Sequence, residues 1–235
     1  AGFESLTDAP VLSIGNLKRA AAPLAVDAAA LDALKQAIGT RPVFLAASTH
    51  DGEDLAMLDA HRRAAESVPN LLTIIVPRHP ARGRDIAALA AAKDLQAVRR
   101  ENGAVPDATT EIYVADTLGE MGCFFMLADT VFVAGSLIPV GGHNPLEPAH
   151  FGKPVLFGPL MAKNADIAAD MIAAGAAEEV DAAGLGDRVA ALTGDSPARA
   201  AMAAAALSFA QGQGRIADDM AERVLTATSR PGETR

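Results

Sequence analysis

The chain is poor in cysteine and aromatic residues. Cys123 is its one cysteine in 235 residues, which excludes a disulfide framework and any cysteine-built zinc finger or ribbon and fits a reducing compartment. There is no tryptophan and one tyrosine, so the core must be built from aliphatic side chains and eight phenylalanines. Positive charge is also short, with 20 Lys and Arg against 29 Asp and Glu, a net charge of −9 and a pI near 5.0. That balance argues against a nucleic-acid partner, because duplex affinity rests on Lys and Arg meeting phosphates. It leaves room for a local basic site that takes one small phosphorylated ligand. No apolar run approaches the ~20 residues of a membrane-spanning helix. The first residues lack the basic and apolar segments of a secretory signal. The chain opens on Ala1, in what reads as a linker, and is expected to be a fragment.

Half of the residues are apolar, and their runs alternate with helical spacing. Expected strands are 42–47 (PVFLAA), 71–76 (LLTIIV), 95–98, 111–114 (EIYV), 131–134, 155–157 and 177–180, with a further apolar run at 10–14. Expected helices are 26–38, closed by Gly39, then 53–67, 85–93, 119–128, 144–151 and 166–174, followed by two or more Ala-rich helices. Strands apolar throughout suit a parallel sheet covered on both faces. The fold class is therefore α/β, a Rossmann-like doubly wound parallel sheet with a helical C-terminal end. Residues 1–9 are expected to be a linker, 10–228 the domain and 229–235 a tail.

Doubly wound sheets bind ligands beyond the carboxyl ends of their strands, which directs attention to four loops. The segment 48–53 (STHDGE) offers Ser48 and His50 ahead of a helix, and either an anion site or a cluster of N-caps would explain it. In 77–80 (PRHP) two prolines fix where Arg78 points, and its guanidinium suits a phosphate or carboxylate. Thr117 and Glu120 have capping-box spacing, with Gly119 permitting close backbone approach. The stretch 135–148 (GSLIPVGGHNPLEP) holds three glycines and three prolines. In it Asn144 fits an N-cap, Pro145 the first helical position and Glu147 the third. Gly141 and Gly142 running into that helix start suit a phosphate or carboxylate. Other patterns carry less. Gly212–Ala217 matches a loose dinucleotide fingerprint but follows a helical stretch rather than a strand. No histidine spacing marks a metal site. His61, beside Arg62 and Arg63, reads as part of a solvated helix face.

Taken together, 47–50 (ASTH) with Gly52-Glu53, 76–80 (VPRHP), Gly119-Glu120, Gly135-Ser136 and above all 141–148 (GGHNPLEP) resemble the Kdo transferases of Gram-negative bacteria. Gly15-Asn16-Leu17-Lys18 is similar to the start of that family's second half. The resemblance implies the C-terminal domain of a two-domain GT-B glycosyltransferase, which binds the donor CMP-Kdo without a cofactor or metal. It places CMP contacts on Pro77 and Arg78, on Leu118, Gly119 and Glu120, and on Asn144, Pro145, Leu146 and Glu147. Ser48, His50, Ser136, Gly142 and His143 are further candidates. By the same resemblance Glu147 accepts hydrogen bonds from the ribose, a use that competes with closing a capping box on its own helix. The catalytic Glu and the site for the lipid A precursor belong to the N-terminal half, which this chain lacks. The resemblance also implies an enzyme at the cytoplasmic face of the inner membrane, attached through that half. Ala134, Val140 and Phe125-Met126 depart from the family's pattern without touching these contacts. A domain for another sugar nucleotide, such as a UDP-sugar transferase or epimerase, and a non-enzymatic interaction module stay open as alternatives.

Overall fold

The computed structural model describes residues 23–228. The apolar run at 10–14, the Gly15–Lys18 match, the linker and the tail lie outside them. Pro23–Ala210 pack as one compact unit, and the last helix runs on to Thr228. Seven strands form one parallel sheet: β1 (Val43–Thr49), β2 (Leu72–Pro77), β3 (Ala97–Arg99), β4 (Ile112–Val114), β5 (Thr130–Val133), β6 (Val155–Phe157) and β7 (Ala177–Glu179), in the spatial order β3-β4-β2-β1-β5-β6-β7. The order reverses between β1 and β5. That junction is the switch point where a crevice opens past the strand ends.

Alternation along each strand sorts its side chains into two cores. Val43, Leu45 and Ala47 of β1 face one layer with Leu72, Ile74, Val131, Val133 and Phe157. This layer is covered by α1 (Ala28–Ile38), α4 (Met121–Leu127), α5 (Leu146–His150), α6 (Ala165–Ala173) and the first part of α8 (Ser196–Thr228). Phe44 and Ala46 face the other, with Ile75, Ile112, Val114, Phe132 and Leu156. There the cover is α2 (Asp54–Ala65), α3 (Gly83–Ala92) and α7 (Leu185–Gly194). The doubly wound parallel sheet and helical C-terminal end expected from the sequence are present.

Several boundaries differ for physical reasons. Helix α1 begins two residues late because Asp27 caps it, its Oδ1 accepting from the Ala29 and Ala30 amides at 2.9 and 3.1 Å. Gly39 ends it at φ +63°, as its sequence position suggests. Strand β1 continues through Ser48 and Thr49, which the sequence assigns to the loop, because β2 pairs with it to its end. His61 is not solvated. It is 1% exposed, and its Nδ1 lies 2.8 Å from Thr73 Oγ1. Burial lowers its pKa, against the attraction of Glu111. The Gly212–Ala217 match falls inside α8.

Candidate functional site

At the end of β1 the register slips between Ala47 and Thr49, and Ser48 takes φ +63°. A left-handed non-glycine residue costs about 1–2 kcal/mol, and such strain gathers at functional sites. Thr49 O then accepts from the Arg78 amide at 2.9 Å and from Arg82 Nη1 at 3.2 Å, which ties the β2 loop to β1. Arg82 is held in turn by the buried carboxylate of Asp54. These contacts fix the root of the segment that carries Arg78.

The residue that the sequence reading underused is Glu53. It is fully buried, and its carboxylate accepts four backbone N–H groups. Oε2 takes His50 at 3.1 Å and Gly135 at 2.8 Å, and Oε1 takes Ser136 and Leu137, each at 3.1 Å. One side chain thus clasps the loops after β1 and β5 across the switch point. An acid following a glycine beyond a strand was the available signal, but three of its four partners lie more than 80 residues away.

The β4 loop is tied differently. The expected capping box at Thr117 does not form: Gly119 has φ +83°, and α4 starts only at Met121 without a side-chain cap. Thr117 instead hydrogen-bonds the Glu120 carboxylate, which also receives Arg100 Nη2 at 2.7 Å and Nε at 3.2 Å. Arg100 is 7% exposed and also bonds Ala104 O, at 3.3 Å. This pairing holds the Glu120 carboxyl below its ordinary pKa.

The β5 loop closes on itself, with the Gly142 amide on Gly135 O at 2.7 Å and the His143 amide on Ala134 O at 3.2 Å. Gly142 needs its missing side chain, because a Cβ there would stand 2.2 Å from Met161 Sδ at φ +75°. Ser136 is buried, its Oγ donating to Val133 O and accepting from the Gly158 amide. Asn144 Oδ1 accepts from the Leu146 amide at 3.1 Å, so it caps, although α5 begins at Leu146 rather than 144. Leu146 is wholly buried. With only five residues in α5, the positive field here comes from Arg78 more than from a helix dipole.

The loops enclose a cavity of about 310 Å³, lined by Ser48, Pro77, Arg78, Leu118, Gly119, His143 and Glu147, with Leu24, Val76, Thr117 and Met121. It brings together seven of the residues singled out in the sequence. Glu120, Asn144, Pro145, Leu146, Ser136 and Gly142 stand outside the lining, and His50 reaches it through His143. Glu147 shows no capping-box hydrogen bond and lines the cavity. Burial raises its pKa, with Arg78 pulling the other way. A cavity of about 600 Å³ between residues 139–141 and α6 is larger, but it is mainly apolar. The smaller one combines a cation, a carboxylate and an apolar rim at the switch point. Among the described residues, no cluster of three potential ligands is placed to hold a metal ion.

Sheet order, switch-point cavity and helical end define the nucleotide-binding type of domain found as the C-terminal half of GT-B glycosyltransferases. Glycosyltransferase structures at 13–15% identity share this fold. No protein-family model matches the chain. The C-terminal CMP-Kdo binding domain of WaaA from Acinetobacter baumannii is 31% identical, with a TM-score of 0.72, over 78% of this chain and 98% of that one. A 3-deoxy-D-manno-octulosonic acid transferase of Haemophilus influenzae is 43% identical over 118 residues, 50% of this chain and 28% of that protein. One from Rickettsia bellii is 35% identical over 178 residues, 76% of this chain and 42% of that protein. The chain belongs to the 3-deoxy-D-manno-octulosonic acid (Kdo) transferase family and corresponds to its C-terminal domain. It spans less than half the length of these curated relatives.

Proposed function

We propose that this domain binds the sugar nucleotide CMP-Kdo for an inverting glycosyltransferase that moves Kdo onto the lipid A precursor. The observation that carries the reading is the pairing of Arg78 and Glu147 in one cavity at the switch point, in a chain 31% identical to a domain described as CMP-Kdo binding. At about 310 Å³ the cavity lies at the small end of the range for ligand pockets, the size class of a nucleoside monophosphate. Val76, Pro77, Leu118 and Met121 offer apolar surface to the base, Glu147 accepts from the ribose hydroxyls, and Arg78 meets the phosphate. In the transfer, the bond between the anomeric carbon and the phosphate oxygen breaks and its electron pair stays on the phosphate. Arg78 stabilises that growing charge in a partly desolvated site. An inverting reaction also needs a base to take the proton of the acceptor hydroxyl. No residue of the cavity is assigned that role, and the base is placed in the family's N-terminal half.

On this reading the domain alone binds donor and product without transferring sugar, and it uses no cofactor or metal. The acceptor and the cytoplasmic face of the inner membrane are reached through the N-terminal half. No described helix is long and apolar enough to cross a membrane. The domain is taken as residues 10–228 between a linker and a tail. Calorimetric titration of the folded chain with CMP, UMP and UDP tests the reading. CMP is expected to bind most tightly; tighter UDP binding would assign another sugar nucleotide, and silence toward all three would remove the nucleotide reading.

A further inference from the structure

His50 and His143 are separated by 93 positions in the chain and meet at their ring nitrogens, Nε2 to Nε2 at 2.8 Å, with the ring centroids 5.0 Å apart and the planes within 8° of parallel. The contact is built from both sides. Glu53 holds the His50 amide and the Gly135 amide together. Gly135 clears space for the other ring, since a Cβ there would lie 3.0 Å from His143 Cδ2. Asn164 Nδ2 fixes the His143 carbonyl at 3.1 Å.

Two imidazole nitrogens at this distance share one hydrogen: one Nε2 donates and the other accepts. Two neutral rings therefore hold opposite tautomers, and the donating ring keeps a bare Nδ1. One further proton fits on that Nδ1 and leaves the Nε2–H···Nε2 bond intact. A second added proton would put hydrogens on both facing nitrogens and break the contact. The pair thus holds one positive charge at most. Its surroundings disfavour that charge. Burial opposes it most, joined by His79, Arg82 and Arg78 around His50 and by Arg78 and Lys163 around His143, whereas Glu53 favours it. The His143 pKa is pushed down to about 4. An anion entering between Arg78 and His143 supplies the missing negative charge.

We propose that the His50–His143 pair is a one-proton acceptor built into the donor cavity, becoming a monocation when a nucleotide phosphate enters and so adding a second cationic group beside Arg78. His143 is the ligand-facing member, and His50 is a positioning residue that acts through it. The inference rests on the nucleotide reading of the cavity. It also gives that reading a chemical consequence: the phosphodiester of a sugar nucleotide carries one negative charge and the released monoester close to two, so the pair responds more strongly to the product.

The test is CMP titration of the wild-type chain, His143→Asn and His50→Asn, each in two buffers of different ionisation heat near pH 6.5. The wild type is expected to take up as much as one proton more per CMP than either variant. Its affinity is expected to rise as pH falls, by as much as about tenfold per unit. The phosphate of CMP itself titrates near pH ~6, but that contribution is common to all three proteins and cancels in the difference. Nitrogen NMR of the labelled histidines in the unmutated protein gives a readout that needs no variant to fold. It is expected to show one bare and one protonated Nε2 before CMP, and one new Nδ1 proton after. CMP binding with equal proton uptake in all three proteins, or without a new Nδ1 proton, overturns the pair and leaves the nucleotide reading standing. Absence of CMP binding by the folded wild type overturns both.

Discussion

Glu53 and Glu147 stand at the starts of two helices beside one crevice, and their carboxylates meet opposite surroundings. Glu53 lies at the floor, fully buried, with four backbone N–H groups on its two oxygens. Glu147 lies in the cavity wall and accepts no hydrogen bond from a described side chain or amide; its nearest compensation is the field of Arg78. A carboxylate saturated by main-chain donors sets the shape of loops. One that is desolvated and unsaturated is costly to keep, and that cost is repaid only when a ligand brings donors to it. On the proposed reading, the contrast separates the scaffold of the site from the group that meets the substrate.

The largest effect is expected at the floor of the crevice. Glu53→Ala leaves four amides without their acceptor and is expected to destabilise the domain by about 3–5 kcal/mol, read as a lower denaturant midpoint, whereas Glu147→Ala should shift it by no more than ~0.5 kcal/mol. Equal losses would erase the distinction. Next in size is Arg78→Ala, expected to weaken CMP binding by roughly 10- to 100-fold, the scale of one charge-assisted hydrogen bond, with the midpoint unchanged.

Glu147→Gln sharpens the comparison, because affinity and stability should move in opposite directions. Burial raises the folded-state pKa of Glu147 above its ordinary 4.5. The stability tied to its proton is therefore complete below that value and is lost as pH rises through the folded-state pKa. At neutral pH the ionised carboxylate opposes folding, and the amide relieves this. The variant is expected to unfold at a higher temperature than the wild type at pH 7, to lose that advantage near pH 4, and to bind CMP about tenfold more weakly. A variant less stable at pH 7 would show that Glu147 has a structural partner after all. The smallest effect is at the rim. Leu118 is 79% exposed, and Leu118→Ala should leave stability within about 0.5 kcal/mol while lowering CMP affinity a few-fold.

How much of this was legible in the sequence depended on the distance between partners. The central parallel strands were legible because β1, β2, β4, β5 and β6 are buried and mainly apolar on both faces, whereas the edge strands β3 and β7 carry Arg99 and Glu178-Glu179. The strand-end loops announced themselves through clustered glycine, proline and Arg78. Local reasoning failed where a remote side chain intervened. Thr117 and Glu120 have capping-box spacing, but Arg100 from before β4 claims the carboxylate first. His61 looked solvated beside two arginines, yet one residue of helix rotation turns it inward onto Thr73. The two uses competing for Glu147 could not be separated by spacing alone; in the folded chain the residue lines the cavity and makes no capping-box hydrogen bond. The pairing of His50 with His143 through their Nε2 atoms had no sequence signal beyond two histidines in neighbouring strand-end loops.

The clasp at the floor has a further consequence for how such a site can diversify. Glu53 grips residues 135–137 only through main-chain amides, and the far end of the loop returns to residues 134 and 135 through main-chain bonds as well. Residues 138–140 therefore form a cassette whose two ends are held regardless of the side chains between them. Its length and sequence can be exchanged while the strand ends stay in place, which makes that short arc the natural splice point for reshaping the larger apolar cavity that Pro139 and Val140 line.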